Sequence, residues 1–215
     1  MGQPTCIRLA TPADAAAIGA LRVEAFEGSS DFSIANACFI EQLRWTDKDD
    51  AVDVIAAWRE NKPVATMRLE VISDRHHLAE YAAGLLPPAD HVEWPALALA
   101  RVATHASCSR TGLNSLIRCY FLEVALASEA RRLYSYVVLG AARTKLMESL
   151  GYQFLTRSDD DPDLASQRPW ALAWLDLPGR GKQALALLEG QISSTRQEYP
   201  WVGPKPRVPR LRCFG

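Results

Sequence analysis

The chain has 215 residues, 48% of them hydrophobic and 23% charged, with 24 Lys and Arg against 25 Asp and Glu for a formal net charge of -1. That length and apolar content can bury one sizeable core, as a single domain or a domain with a small extension, and the near balance of charge excludes a whole-protein attraction to nucleic acid or to a membrane surface. No apolar run approaches the roughly 20 residues of a bilayer span, and five cysteines without CxxC pairing, in a chain with no secretory leader, predict reduced thiols in a cytoplasmic setting.

Cys6 to Ala10 reads as a first strand, and Thr11, Pro12 and Asp14 mark the start of a helix with Ile18, Leu21, Ala25 and Phe26 on its apolar face. Gly28-Ser-Ser breaks that helix, and Phe32, Ala35, Phe39 and Leu43 give a second one, Phe32 to Leu43, its stripe. Val52 to Trp58 is strand-like, Glu60-Asn-Lys-Pro63 is a hairpin turn and Val64 to Ile72 is the return strand. Asp74 to Pro95 is less regular, with a short helix from His77 to Leu86 that Pro87-Pro88 ends. Four histidines, His76, His77, His91 and His105, lack the spacing of a metal site, so no metal is expected.

The stretch from Leu97 to Tyr152 carries the strongest pattern. Leu97 to Thr104 is a strand, followed by His105-Ala-Ser-Cys-Ser-Arg-Thr-Gly-Leu-Asn-Ser115, rich in small side chains and ending where a helix can start. A helix opening there aims free backbone N–H groups and its positive dipole end at an anion. Arg132 to Leu139 is the next strand, and Ala142 to Leu150 a helix stopped by Gly151. Ala171 to Leu177 reads as a late strand, Gly181 to Ile192 as a helix and Gly203 to Gly215 as an irregular tail. Strands around an early helical pair, then strand–helix alternation, predict a mixed α/β sheet.

His105 to Leu116 resembles the acyl-CoA loop of the GNAT superfamily of N-acetyltransferases. In that loop Arg or Gln, two residues, Gly, one residue, then Gly or Ala fall on Ser109, Gly112 and Asn114, of which Gly112 fits; Arg110 stands one place late. Met147-Glu-Ser-Leu-Gly-Tyr152 is similar to the family's Tyr-x-x-Leu-Gly-Phe/Tyr segment, and Ile7-Arg-Leu-Ala-Thr-Pro-Ala-Asp14 to its opening. The resemblance implies a GNAT fold with a mixed central sheet of about six or seven strands and flanking helices. It places an acyltransferase domain over residues 1–177 and a C-terminal helix and basic tail over 178–215. It also implies CoA contacts at Val102, Thr104, Ser109, Arg110, Thr111, Gly112, Leu113, Asn114 and Ser115, with acetyl-CoA or a longer acyl-CoA as co-substrate.

A narrower resemblance is to long-chain N-acyl amino acid synthases and acyl-homoserine-lactone synthases. These carry an Arg-x-x-x-Phe pair in the first helix, acids before the second strand, and arginines on the third and fourth strands. The matching positions are Arg22, Phe26, Asp50 or Asp53, Arg68 and Arg101, which the resemblance implies as substrate-binding. The homoserine-lactone synthases place Glu three residues before the fourth-strand Arg, where this chain has Ala98. Phe26 also fits as a core residue, and Arg22 and Arg68 as ion-pair partners of Glu24, Asp50 or Asp53.

The activity implied is N-acyl transfer by direct attack of a neutral amine on the thioester, with acyl carrier protein as an alternative donor and a small-molecule amine as acceptor. Placement of the reactants supplies most of the rate in such a reaction. Glu70 and Glu93 are the candidate bases. The family's proton-donating Tyr falls on Met147, leaving water, Tyr134 or Tyr136 to protonate the leaving thiolate. The alternative is a catalytically silent domain that binds CoA or a protein partner.

Overall fold

The computed structural model describes residues 5–27, 41–89, 92–140, 142–156 and 170–209. Strand β1 (Thr5–Leu9) is followed by a 3-10 turn at Pro12–Asp14 and helix α1 (Ala15–Glu27). Asp14 closes the α1 entry, accepting the Thr11 N–H at 2.8 Å and two hydrogen bonds from Arg8 at 2.8 and 2.9 Å. The helix expected from Phe32 to Leu43 lies outside the described residues up to residue 40; residues 41–43 are helical. A single helical turn, α2 (Asp47–Asp50), precedes β2 (Val54–Arg59) and β3 (Lys62–Ile72).

The β2–β3 turn places Glu60 and Asn61 at φ 54° and 60°, the left-handed pair that a tight right-twisted hairpin requires. The register slips between Ala57 and Trp58, opposite Pro63, where a residue without an N–H is tolerated. Helix α3 (Arg75–Tyr81) starts at Asp74, whose carboxylate accepts the His77 N–H at 2.9 Å. It stops earlier than expected: Ala83 and Gly84 turn left-handed, and the Gly84 N–H closes on the Ala79 carbonyl at 2.7 Å, so the chain leaves the helix before Pro87.

Strand β4 (Ala96–Thr104), helix α4 (Leu113–Ala127) and strand β5 (Arg132–Val138) form one βαβ unit, the connection that parallel strands need. Leu113, Leu116, Ile117, Tyr120, Phe121 and Val124 are buried at helical spacing along α4. Helix α5 (Ala142–Ser149) ends on Gly151 at φ 84°, with the Tyr152 N–H returning to the Met147 carbonyl at 3.0 Å. Two further strands follow, β6 (Gln153–Thr156) and β7 (Trp170–Asp176); β6 is too short to have left a pattern in the sequence. Helix α6 (Lys182–Glu198) outruns the expected Ile192 because its buried stripe, Ala184, Leu188, Ile192 and Thr195, continues to Tyr199.

The seven strands lie in the order β1-β2-β3-β4-β5-β7-β6. The sheet is mixed, with β4 and β5 parallel and the β1–β2, β2–β3, β5–β7 and β6–β7 pairs antiparallel. The chain divides into two compact units. The first comprises 1–69, 100–122 and 188–207, the second 70–99, 123–187 and 208–215. In the first, Ile18, Val54, Ala56 and Trp58 form a buried cluster, and Trp201 bridges alongside Ile7, whose N–H reaches the Pro200 carbonyl at 2.9 Å. In the second, Ile72, Leu78, Ala82, Leu85, Ala96, Ala98, Tyr134, Leu172 and Trp174 pack together. Among the described residues no helix is long and apolar enough to cross a membrane.

Candidate functional site

In the first unit the loop between β4 and α4 has the geometry of an anion cradle. His105 opens it by accepting the Ser107 N–H at 3.2 Å, and a 3-10 turn follows at Ala106–Cys108. Arg110 at φ 64° and Gly112 at φ 86° then turn the backbone left-handed twice within three residues. The first ladder bond of α4 runs from the Leu116 N–H to the Gly112 carbonyl at 2.8 Å, so the N–H groups of Leu113, Asn114 and Ser115 have no preceding helical turn to receive them. Those N–H groups and the positive dipole end of a 15-residue helix suit a pyrophosphate. Ser109, Arg110 and Thr111 are exposed, Gly112, Asn114 and Ser115 half-buried and Leu113 buried; Val102 and Thr104 are half-buried on β4. Ser109 to Ser115 thus surround one helix start, while Val102 and Thr104 lie on the strand before it.

The same unit holds a buried charge cluster. Asp49 Oδ1 accepts from Arg22 Nη2 at 2.7 Å and lies 3.2 Å from Arg68 Nη1, with all three side chains at most 3% exposed. Asp49 Oδ2 accepts from the Thr46 N–H at 2.9 Å, fixing the carboxylate as part of a helix cap. Burial alone would raise the Asp49 pKa, but the hydrogen bond and charge of Arg22, with the charge of Arg68, hold it below the usual carboxylate range. The expected partners Asp50 and Asp53 go elsewhere: Asp50 accepts the Trp45 indole N–H at 2.8 Å, and Asp53 accepts the Arg207 backbone N–H at 2.7 Å. The partner is Asp49 instead, which the Thr-x-x-Asp capping pattern in Thr46–Asp49 marks as the fixed carboxylate of that acidic run. Phe26 is half-buried at the end of α1, and Arg101 stands at φ 52° within β4, a left-handed residue inside a strand.

In the second unit Glu70 is buried on β3 at 7% exposure. Glu93 accepts from Arg132 Nη2 at 2.8 Å, and Asp176 takes the other Arg132 nitrogen at 2.6 Å. Tyr134 is fully buried, and its hydroxyl has no hydrogen-bond partner among the described residues. Burial, opposed by the Arg132 charge, pushes its pKa up to about 12. Tyr136 is half-buried and stacks on Trp170 with ring centroids 4.8 Å apart. Met147 is completely enclosed.

The C-terminal segment is also placed in part. The Lys205 ammonium lies 4.6 Å from the ring centroids of both Tyr120 and Trp201, and the Arg207 backbone N–H is held by Asp53, while both side chains stay exposed. Arg210 and Arg212 lie outside the described residues.

Among solved structures the chain is similar to BjaI, a CoA-dependent acyl-homoserine lactone synthase determined with SAM and isopentyl-CoA, at 15% identity and a TM-score of 0.58 over 94% of this chain and 95% of that one. It is similar to the acyl-homoserine lactone synthase LasI at 14% identity and a TM-score of 0.57, over 86% of this chain and 95% of that one. An N-acetyltransferase from Staphylococcus aureus Mu50 matches at 17% identity and a TM-score of 0.56, over 80% of this chain and 98% of that one. No protein-family model matches the chain, and no curated protein matches it. The likeness is one of fold, and the fold is that of the GNAT acetyltransferases.

Proposed function

We propose that this chain, built on the GNAT fold, is an N-acyltransferase that moves an acyl group from acyl-CoA, or from acyl carrier protein, to a small amine. The observation that carries the reading is the doubly left-handed loop at Arg110 and Gly112 running into the N–H groups of Leu113, Asn114 and Ser115, which precede the first ladder bond of the helix. On this fold such a helix start accepts the pyrophosphate of CoA, and exposed Arg110 adds a cation.

The chemistry asks for placement more than covalent help. The neutral amine attacks the thioester carbonyl, the oxyanion is held by backbone N–H, the C–S bond breaks and the thiolate leaves. Glu93 is tied to Arg132, which Asp176 holds from its other side, so we assign the ammonium proton to Glu70. Tyr134, near 12, holds its proton well above a thiol of pKa about 8.5, so the sulfur departs as thiolate or takes a proton from water. Arg22, Phe26, Arg68 and Arg101 are assigned to the acceptor side, where arginines fixed on Asp49 suit the carboxylate of an amino acid.

The test is mass spectrometry of the ligand retained by the purified protein, followed by thiol release from an acyl-CoA series with and without an amine panel. Amine-dependent thiol release is expected. CoA retention with no turnover across the series would favour the silent-domain reading, and no CoA binding would reject both.

A further inference from the structure

Within the first unit, a carboxylate, an imidazole and a hydroxyl are linked in series. His105 Nε2 lies 3.1 Å from Glu24 Oε1 on α1, and His105 Nδ1 lies 2.7 Å from Ser107 Oγ. A neutral imidazole has one donor and one acceptor nitrogen. The Ser107 backbone N–H points at Nδ1 at 3.2 Å, and a backbone N–H only donates, so Nδ1 carries the lone pair. The ring proton therefore sits on Nε2, directed at Glu24, and the Ser107 hydroxyl donates to Nδ1. The backbone holds His105 in place: its N–H donates to the Val64 carbonyl at 2.9 Å, and its carbonyl accepts the Cys108 N–H at 2.9 Å. Ser107 is exposed, whereas Cys108, with Sγ 3.7 Å from Oγ, is buried, so the hydroxyl is the nucleophile that a solute reaches.

We propose that Ser107 is a covalent modification site that takes an acyl group from activated carboxylic esters, with His105 as general base and Glu24 as the residue that positions it. Hydroxyl, imidazole and carboxylate stand in the order of a serine nucleophile, its base and the orienting acid, with the two ring nitrogens in exchanged roles. Oγ bonds to the ester carbonyl carbon as its proton passes to Nδ1. The C–O bond to the leaving group then breaks, and the departing alkoxide takes that proton and leaves as the alcohol. The acyl group stays on Oγ. Glu24 balances the imidazolium between the two transfers, an effect that its 65% exposure keeps small. None of this rests on the acyl-CoA reading above.

The experiment treats the protein with a fluorophosphonate, whose serine adduct is not turned over, and follows labelling at Ser107 and Ser109 by peptide fragmentation. Ser109 is exposed on the same loop and serves as the internal comparison. Ser107 is expected to label at least about 100-fold faster, the range of general-base assistance. His105→Asn keeps an acceptor for the Ser107 N–H but offers no base, and should bring Ser107 within about threefold of Ser109. Glu24→Gln keeps an acceptor without its charge and should slow Ser107 about fivefold, leaving the Nε2–H tautomer intact by nitrogen NMR. With p-nitrophenyl acetate, acid-quenched samples should carry acetyl on Ser107. Equal labelling of the two serines, full reactivity in His105→Asn or no acetyl on Ser107 overturns the proposal. Should His105→Asn fail to fold, nitrogen NMR of the wild type decides, since a neutral His105 protonated at Nδ1 overturns it as well.

Discussion

Thr195 and Gly112 are matched across the first unit: Thr195 Oγ1 donates to the Thr111 carbonyl at 2.8 Å and would stand 2.6 Å from any Cβ placed on Gly112. The last long helix thus braces the turn that opens α4, and the glycine is needed for space as well as for its φ of 86°. Gly112→Ala is expected to cost about 2 to 4 kcal/mol from left-handed strain plus the close contact. Chemical denaturation of Gly112→Ala, Thr195→Ala and the double variant checks this. Removing the Thr195 hydroxyl should recover part of the loss, and strict additivity would show that the two residues do not share one steric constraint.

Because Gly112 has this structural duty, CoA binding is better probed at Asn114. Asn114→Asp is nearly isosteric and adds a carboxylate in the first turn of α4, which favours the helix dipole but repels a pyrophosphate. The affinity for CoA, measured by calorimetry, should fall at least about tenfold, while the melting temperature falls by about 2 to 4 °C, because Asn114 Oδ1 is buried without a partner among the described residues and a carboxylate there is costly despite the helix dipole. Unchanged affinity would move the phosphate site away from this helix.

The Asp49 cluster sets an acid limit on stability. A carboxylate whose folded pKa lies below its unfolded value contributes stability that is present above the unfolded value, about 3.9, and is lost as the pH falls through the folded value. Asp14, lowered to about 2 chiefly by the hydrogen bond from Arg8, acts with the same sign between about 4 and 2. Urea midpoints should drop on acidification through that window. Asp49→Asn should flatten the drop and cost about 3 to 5 kcal/mol at neutral pH, since it leaves two buried guanidinium groups without this carboxylate.

Tyr134 gives the opposite limb. Its folded pKa is raised above the unfolded value of about 10, so the stabilisation is present below pH 10 and is lost as the pH rises through about 12. Absorbance at 295 nm should show one phenol that ionises only with unfolding. Tyr134→Phe deletes a buried hydroxyl that lacks a partner, so the melting temperature should hold or rise by about 2 to 4 °C. A kcat within about threefold of the wild type is expected, and a loss of a hundredfold would return Tyr134 to the role of proton donor.

Met147 bears on the same step. It aligns with the family's tyrosine but is completely enclosed, so Met147→Tyr must fit a larger, polar-tipped ring into filled space. A lower melting temperature without a gain in turnover is expected from thermal scans paired with thiol-release assays.

The order of strands and helices was legible because it is written in local patterns: the apolar run Leu97–Thr104, the small-residue loop, the heptad-like stripe of α4 and the glycine stop at Gly151 all act over one or two turns of chain. The loop proposed to take acyl-CoA was legible for the same reason, since a helix start and a glycine at positive φ need only neighbouring residues. The short strand β6 and the early stop of α3 at Ala83–Gly84 escaped, one for lack of length and the other because Pro87-Pro88 offered a stronger but later signal.

What tertiary structure decided is which polar groups meet. Sequence placed an arginine on α1, an acidic run after it and an arginine on β3, and a local capping pattern singles out Asp49 in that run, yet only the fold could bring the capped carboxylate against Arg22 and Arg68. The same holds for Thr195 against Gly112, 83 positions apart in sequence, and for the Tyr81 hydroxyl between the Leu99 carbonyl and the Tyr136 N–H. Local propensity arises from a residue and its near neighbours, whereas a buried hydrogen bond between distant residues exists only once packing has excluded water and fixed both partners.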